Sequence, residues 1–382
     1  MFKSMTSWLL AGLAGLVMGL LINPVQAFET SARAAIVMDF RTGEVLFEKA
    51  ADEALPPASM SKLMTAYVVF ERIKEGLLKL DDTFVVSERA WKMGGSQMFL
   101  EVGDVVRLDD LLQGIIVQSG NDACVVVAEA IAGSEEAFAD VMNTTAQQLG
   151  LSSSQFRNST GLDEPGHLMS VRDLAVLAKN IIQRFPDQYP IYSQKSFTYN
   201  DIEQFNRNPL LRRDVDGVDG MKTGFTDDAG YGLVASAIRD DRRLIVVVAG
   251  VESARLRATE SQRLLEYGFR NFQEYRLFEA GAPVGEAEVW LGDQETVPVL
   301  AKDLVAITLS REDRRGLEVK LIHKSPIEAP IVAGQVLGQL QVTAPGDRRW
   351  SMPAVAGAEV GRAGMMGRIK TAIDHLLGGG AS

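Results

Sequence analysis

A single cysteine, Cys124, and three histidines among 382 residues leave little room for metal chemistry. One thiol excludes an intramolecular disulfide, a cysteine-rich zinc site and an iron–sulfur cluster. His167, His323 and His375 are scattered and do not suit a histidine-rich metal site. Basic residues are the scarcer charge: 39 Lys and Arg stand against 50 Asp and Glu, a formal net charge of −11. No Lys/Arg-rich run is present, whereas a nucleic-acid binder normally shows a basic face. There is no internal repeat and no low-complexity tract beyond a Gly-rich tail. What is present is ordinary for a globular chain: 46% hydrophobic, 23% charged and 7% aromatic residues. Such a chain buries a sizeable core, so wholesale disorder is excluded, and its length suits two or three domains.

The two ends differ from the rest. Residues 1–27 read as a secretory signal: Lys3 is the only charge, residues 8–22 are apolar, and Val25-Gln26-Ala27 offers small residues for cleavage. An uncleaved anchor is the other reading. The apolar stretch is short for a span of about 20 residues, and Asn23-Pro24 follows it directly, so cleavage after Ala27 is expected. Export makes a lone thiol unusual, and the apolar neighbours of Cys124 favour a buried, inert side chain. At the other end Met365, Met366, Ile369, Ile373, Leu376 and Leu377 recur at helical spacing, flanked by Arg362, Arg368 and Lys370. Residues 356–382 are therefore expected to carry an amphipathic helix lying in a membrane interface. A terminal helix packed on its own domain is the alternative. The position after a Gly/Ala-rich link at 354–361 favours the membrane.

Between the ends, residues 28–277 mix helix and strand signals. Segments 35–39 and 44–47 read as strands joined at Arg41-Thr42-Gly43. Segments 62–75, 108–117, 123–132, 171–184 and 259–269 read as helices. Segments 231–237 and 244–250 read as adjacent buried strands. In residues 278–355 helical patterns vanish, and 286–290, 317–321 and 339–342 alternate with period two, which predicts a small all-β domain.

Three short motifs carry the chemistry. Ser59-Met60-Ser61-Lys62 opens a helix just after Pro56-Pro57-Ala58. Side chains at i and i+3 share a face, so the Lys62 amine can reach the Ser59 hydroxyl. A serine hydroxyl is a weak nucleophile until a base takes its proton, and a lysine is a base only when uncharged, a state that burial near other cations favours. Alone, the motif also fits an N-capping serine and a solvated lysine. Ser119-Gly120-Asn121 lies between two helical segments; its hydroxyl and amide could relay a proton and hold a substrate amide, though by itself it is a turn. Lys222-Thr223-Gly224 precedes a turn at Asp227-Asp228. Here a lysine can hold a carboxylate, a threonine can hydrogen-bond it, and a glycine lets another backbone come close. Arg41-Thr42-Gly43 mimics the third motif but precedes the nucleophile and sits in a hairpin. Gly230-Tyr231-Gly232-Leu233-Val234-Ala235 fits a loose dinucleotide pattern, but a strand follows rather than the helix such a site needs.

Ser-x-x-Lys, Ser-x-Asn and Lys-Thr-Gly in that order are shared by class A β-lactamases and penicillin-binding proteins. With their flanks, Pro57-Ala58-Ser59-Met60-Ser61-Lys62-Leu63-Met64-Thr65, Gln118-Ser119-Gly120-Asn121-Asp122-Ala123-Cys124 and Asp219-Gly220-Met221-Lys222-Thr223-Gly224, the sequence resembles the low-molecular-mass penicillin-binding proteins, specifically the D-alanyl-D-alanine carboxypeptidases. The resemblance implies an α+β fold: a helix-flanked antiparallel-sheet domain of DD-peptidase/β-lactamase type, a small all-β domain and a C-terminal amphipathic helix. It implies that Ser59 forms the acyl-enzyme, Lys62 accepts its proton and Ser119 relays one. Asn121, Lys222, Thr223 and Gly224 would bind substrate, joined by Arg257 near the terminal carboxylate and Arg207 nearer the peptide stem. The backbone N–H groups of Ser59 and Phe225 would form the oxyanion hole. The family often has His where Phe225 stands, but any non-proline residue can donate a backbone N–H. A surface salt bridge remains the alternative for Arg257. The implied partners are peptidoglycan stem peptides, β-lactams as covalent inhibitors and a membrane surface, with no cofactor, no metal and no nucleic acid. The implied place is the periplasmic face of the inner membrane. A serine β-lactamase, a DD-endopeptidase and a non-catalytic wall-binding scaffold are the rival readings.

Overall fold

A computed structural model describes residues 28–364. The signal expected over 1–27 and the apolar stripe expected from Met365 onward lie outside the described residues.

The first region is built on a five-stranded antiparallel sheet. Its strands run in the order Val45–Lys49, Ala34–Asp39, Arg242–Val251, Gly230–Arg239 and Val218–Thr226. The two expected hairpins are both present. The central strands carry side chains buried on both faces, because successive residues of a strand point to opposite sides. Ile36, Met38, Ile245 and Val247 join the larger core, with the helices Lys62–Lys74, Asn121–Ala132, Glu135–Gln148 and Val171–Arg184. Val37 and Leu244 point the other way, onto the helix Ala254–Asn271. That helix comes so close that a Cβ on Gly268 would stand 2.7 Å from Leu244 Cδ1 and 3.0 Å from Val37 Cγ1. Ser134, Ser170 and Ser253 each accept a backbone N–H at a helix start, at Ala137, Asp173 and Leu256 respectively.

The expected helix over 108–117 is only half α. It runs as α-helix over Leu108–Gln113, then widens to a π-helical segment over Gly114–Gln118 before ending at Ser119. Wide turns of this kind commonly mark functional sites.

The second region has its own core. A six-stranded sheet is ordered Glu318–His323, Val336–Ala344, Arg348–Ala356, Thr296–Ala301, Pro283–Trp290 and Ile327–Glu328. Val297, Val299, Leu340 and Val342 fill its interior. The expected boundary at 277/278 falls inside the strand Phe272–Phe278, which pairs with Val305–Ser310 and so belongs with this second core. The Gly/Ala-rich stretch 354–361 is a correction to the sequence reading. It is not a link: Ala354 to Ala356 complete a strand, and Val360 is fully buried and exchanges two backbone hydrogen bonds with Ile331. Small residues fit there because the neighbouring chain is close: a Cβ on Gly357 would meet Leu300 at 2.9 Å.

The two regions meet at the Arg41-Thr42-Gly43 turn. Arg41 pairs with Glu274 at 3.0 Å, the Thr42 and Thr308 hydroxyls are 3.1 Å apart, and Trp350 Nε1 donates to Glu44 at 2.6 Å.

Candidate active site

Ser59 sits in a 3-10 turn over Ala58–Ser61 that runs directly into the helix Lys62–Lys74. No side chain caps either start, and Lys62 is only 1% exposed, so the reading of this motif as a capping serine with a solvated lysine does not hold. Ala58 has φ +49°, a left-handed conformation that an L residue adopts only when its surroundings hold it there. They do so from two sides. A Cβ on Gly161 would stand 2.1 Å from Ala58 O, and one on Gly224 would stand 2.8 Å from Pro57 O. The glycine of Lys-Thr-Gly therefore serves a close approach of the edge strand to the turn that carries Ser59.

The Lys62 amine is held by three oxygens: Ser59 Oγ at 3.0 Å, Asn121 Oδ1 at 2.7 Å and Thr160 O at 2.5 Å. An uncharged amine has two N–H groups and one lone pair. The two carbonyl oxygens can only accept, so they take the two N–H groups and the lone pair is left for the Ser59 hydroxyl. Burial pushes this lysine down to about 8, with Arg207 adding to the effect and Asp122, Cys124 and Glu135 opposing it.

Ser119 ends the π-helical segment at φ +70°, again left-handed. Its Oγ is buried without a hydrogen-bond partner and lines the same cleft as Ser59. Asn121 begins the next helix. Its Oδ1 is taken by Lys62 and its Nδ2 donates to Gly94 O at 2.7 Å, which leaves one amide hydrogen for a ligand.

Lys222, Thr223 and Gly224 lie in Val218–Thr226, the edge strand of the sheet, so this strand has one side without a neighbour in the sheet. Lys222 is 2% exposed and has a single long contact, to Thr223 O at 3.4 Å. Burial pushes it well below the ordinary lysine range, and Lys62 and Arg207 push the same way. An incoming carboxylate would favour its charged form and take up its spare donors. Arg257 stands in the first turn of Ala254–Asn271. It lies 5.5 Å over the Tyr231 ring, its NH1 reaches Gly224 O at 3.5 Å, and its Nε is buried without a partner, which a surface salt bridge would not leave. Phe225 is exposed and stacks on the same Tyr231 ring, at 4.2 Å between centroids. Arg207 is exposed at the rim. Its neighbours hold it in place: Asn206 Nδ2 donates to Gln194 O at 2.9 Å and Asn208 Nδ2 to Gly220 O at 2.9 Å.

Ser59, Ser119, Asn121, Arg207, Thr223, Gly224, Phe225 and Arg257 all line one cleft of about 620 Å³, with Lys62 and Lys222 buried behind it. The structure thus brings together every site residue expected from sequence. It adds some that sequence reasoning missed. Thr160 acts through its carbonyl. Asn158 Oδ1 accepts from Thr160 N, Thr160 Oγ1 and Gly161 N at 3.2, 3.1 and 2.8 Å and so shapes that turn. The string Asn158-Ser159-Thr160-Gly161 carries a turn signal, the one hint available beforehand. Among the described residues no group of three or more His, Cys, Asp or Glu is placed to hold a metal ion. Cys124 is buried and its thiol is pushed up to about 12 by burial.

Comparison with known proteins adds to this geometry. A model of the family described as D-alanyl-D-alanine carboxypeptidase matches residues 22–253, and one described as penicillin-binding protein 5, C-terminal domain, matches residues 272–362. The chain is 41% identical over 352 residues to D-alanyl-D-alanine carboxypeptidase DacC of Escherichia coli (strain K12), covering 90% of this chain and 88% of that protein. It is 37% identical over 355 residues to DacA of the same strain, covering 91% and 87%. Its fold matches the crystal structure of penicillin-binding protein 5 from Haemophilus influenzae with a TM-score of 0.83 and 38% identity, covering 88% of this chain and all of that one. Penicillin-binding protein D2 of Listeria monocytogenes in its ampicillin-bound form matches with a TM-score of 0.59 and 31% identity, covering 64% and 99%.

Proposed function

The chain belongs to the D-alanyl-D-alanine carboxypeptidase family and is a penicillin-binding, peptidoglycan-acting serine peptidase; from that premise we propose that Ser59 is its nucleophile and Lys62 the base that activates it. The observation that carries this assignment is the 3.0 Å contact between Lys62 Nζ and Ser59 Oγ, made by an amine whose other two partners only accept.

In this reading Ser59 Oγ attacks the carbonyl carbon of the penultimate D-alanine while its proton passes to Lys62. The backbone N–H groups of Ser59 and Phe225 receive the developing oxyanion. The C–N bond then breaks and terminal D-alanine leaves with a proton delivered through Lys62 and Ser119, whose unpartnered hydroxyl suits a relay. Water hydrolyses the ester with the same groups acting in reverse. Lys222, Thr223 and Arg257 take the terminal carboxylate, Asn121 its amide neighbour, and Arg207 the stem further out. A β-lactam enters as an amide that cannot diffuse away after ring opening and remains as the ester.

The expected export and tail complete the reading: an enzyme at the periplasmic face of the inner membrane, held there by the sequence from Met365 onward, since the part of the expected tail before it packs in the second core. The apolar stripe at 365–377 with its flanking basic residues supports this. The likeness to the D-alanyl-D-alanine endopeptidase of Escherichia coli (strain K12), 30% identical over 58% of this chain, is shorter and does not favour the endopeptidase reading. The test is intact mass and product analysis together. Wild type should gain one penicillin mass and release free D-alanine from a synthetic pentapeptide, and Ser59→Ala should do neither. An adduct on Ser59→Ala would overturn the assignment.

A further inference from the structure

The base is held by a loop, and that loop is held by a buried acid. Glu135 is the first residue of the helix Glu135–Gln148, and its side chain is only 6% exposed. Its Oε1 accepts Ser159 N at 3.1 Å and Ser159 Oγ at 2.7 Å, while Oε2 pairs with Arg89 at 2.8 Å. Ser159 O accepts Thr65 Oγ1 at 2.7 Å, and the next carbonyl, Thr160 O, accepts Lys62 Nζ. Thr65 lies one turn beyond Lys62 on the same helix. Two adjacent carbonyls thus grip one helix face, and the carboxylate behind them fixes both.

We propose that Glu135 is the positioning residue for the base: through Ser159 it aims the Thr160 carbonyl at Lys62, and its carboxylate is one of the buried charges that face that amine. This rests on the assignment of Lys62 as the base. The charged and titratable groups facing Lys62 are Asp122 and Cys124 from the helix Asn121–Ala132, Lys222 from the edge strand, Arg207 from the rim, His167 beyond the loop, and Glu135. Of the acids among them, Asp122 acts on Lys62 through its charge, with its oxygens taken by the backbone N–H groups of Met98, Leu100 and Ala123. Glu135 is the acid whose hydrogen bonds lead to an oxygen on Lys62. A buried negative charge favours the ammonium form, so its removal makes the base available at lower pH. A weaker grip on Thr160 should lower the plateau rate.

The experiment is the pH dependence of second-order acylation by benzylpenicillin, followed by intact mass on the full chain. Glu135→Gln should move the acid limb to lower pH by about half a unit or more and reduce the plateau several-fold. Glu135→Asp should leave the limb in place, and Ser159→Ala should reduce the plateau with the limb in place. Arg89→Met removes the partner that neutralises Glu135 and should move the limb to higher pH, which keeps the proposal testable if Glu135→Gln fails to fold. A wild-type limb that neither Glu135→Gln nor Arg89→Met moves would overturn the proposal and leave Lys62 as base. A wild type with no acid limb would overturn the assignment of Lys62 itself.

Discussion

The two cores of this chain are built by opposite rules. Among the described residues, the first buries Lys62, Lys222, Asp122, Glu135, Asp173 and Asp39, and it holds Ala58 and Ser119 at positive φ. In the second, Thr308 is the sole polar residue that is buried, and the rest is Val, Leu, Ile and Ala. Buried charge and backbone strain cost stability and persist only where surrounding structure holds them. Lys62, Lys222, Ala58 and Ser119 gather at one cleft, where the chain gives up stability for chemistry; the second region has Leu291 and Asp347 at positive φ but, among the described residues, buries no charged side chain, as a platform would. Packing alone decides the second core, while in the first core packing is subordinate to placing an amine beside a hydroxyl.

The sharpest way to break that contrast is to make the first core resemble the second. Lys62→Met keeps the volume and removes the charge. Acylation by penicillin should fall about 1,000-fold or more, read by intact mass. The same substitution should stabilise the fold. Lys62 titrates at about 8 when folded against 10.5 ordinarily, because burial disfavours its charged form. The folded state therefore binds fewer protons than the unfolded state between those values, and wild-type stability should rise with pH across that window. Below pH 8 the full cost of the buried charge is present, at most roughly 3 kcal/mol. Thermal unfolding at pH 7 should show Lys62→Met as the more stable protein, with the difference shrinking toward pH 10.

Breaking the second core should do the reverse. Leu340→Ala, at a position 1% exposed, should cost about 2–5 kcal/mol in denaturant unfolding and leave acylation per folded molecule unchanged. A smaller effect is expected at Ser119. Glycine is free at φ +70°, so Ser119→Gly should gain about 1 kcal/mol in melting experiments. Acylation should fall all the same, since the hydroxyl is gone. The junction should change stability alone: Trp350→Phe removes the bond to Glu44 and should cost about 1 kcal/mol without any change in acylation.

How much of this was legible beforehand follows from what each residue contributes. Ser59, Lys62, Ser119, Asn121 and Lys222 act through side chains in fixed local strings, so a pattern of letters reveals them. Thr160 acts through a carbonyl that every residue possesses, and Glu135 acts through a loop that lies beside it only after folding. Thr160 leaves only the turn signal around Asn158 in a linear pattern, and Glu135 leaves none. The strands Gly230–Arg239 and Arg242–Val251 were plain because both faces are covered and the runs are continuously apolar. The strand Phe272–Phe278 was not, because it is partly exposed along its length and continues from a helix without a break. The 354–361 stretch misled for a related reason: small residues mark a flexible link when exposed and close packing when buried, and composition does not distinguish the two.

The central claim is that an uncharged Lys62 takes the proton of Ser59. It is tested most directly by the second-order rate constant for benzylpenicillin acylation of the wild-type protein between pH 5.5 and 9.5, since this quantity reports the free enzyme's own ionisations. The account predicts a rate that climbs about tenfold per pH unit at the acid end and levels off near 8, where burial places the Lys62 amine. A rate that stays flat from pH 6 to 9 would contradict it.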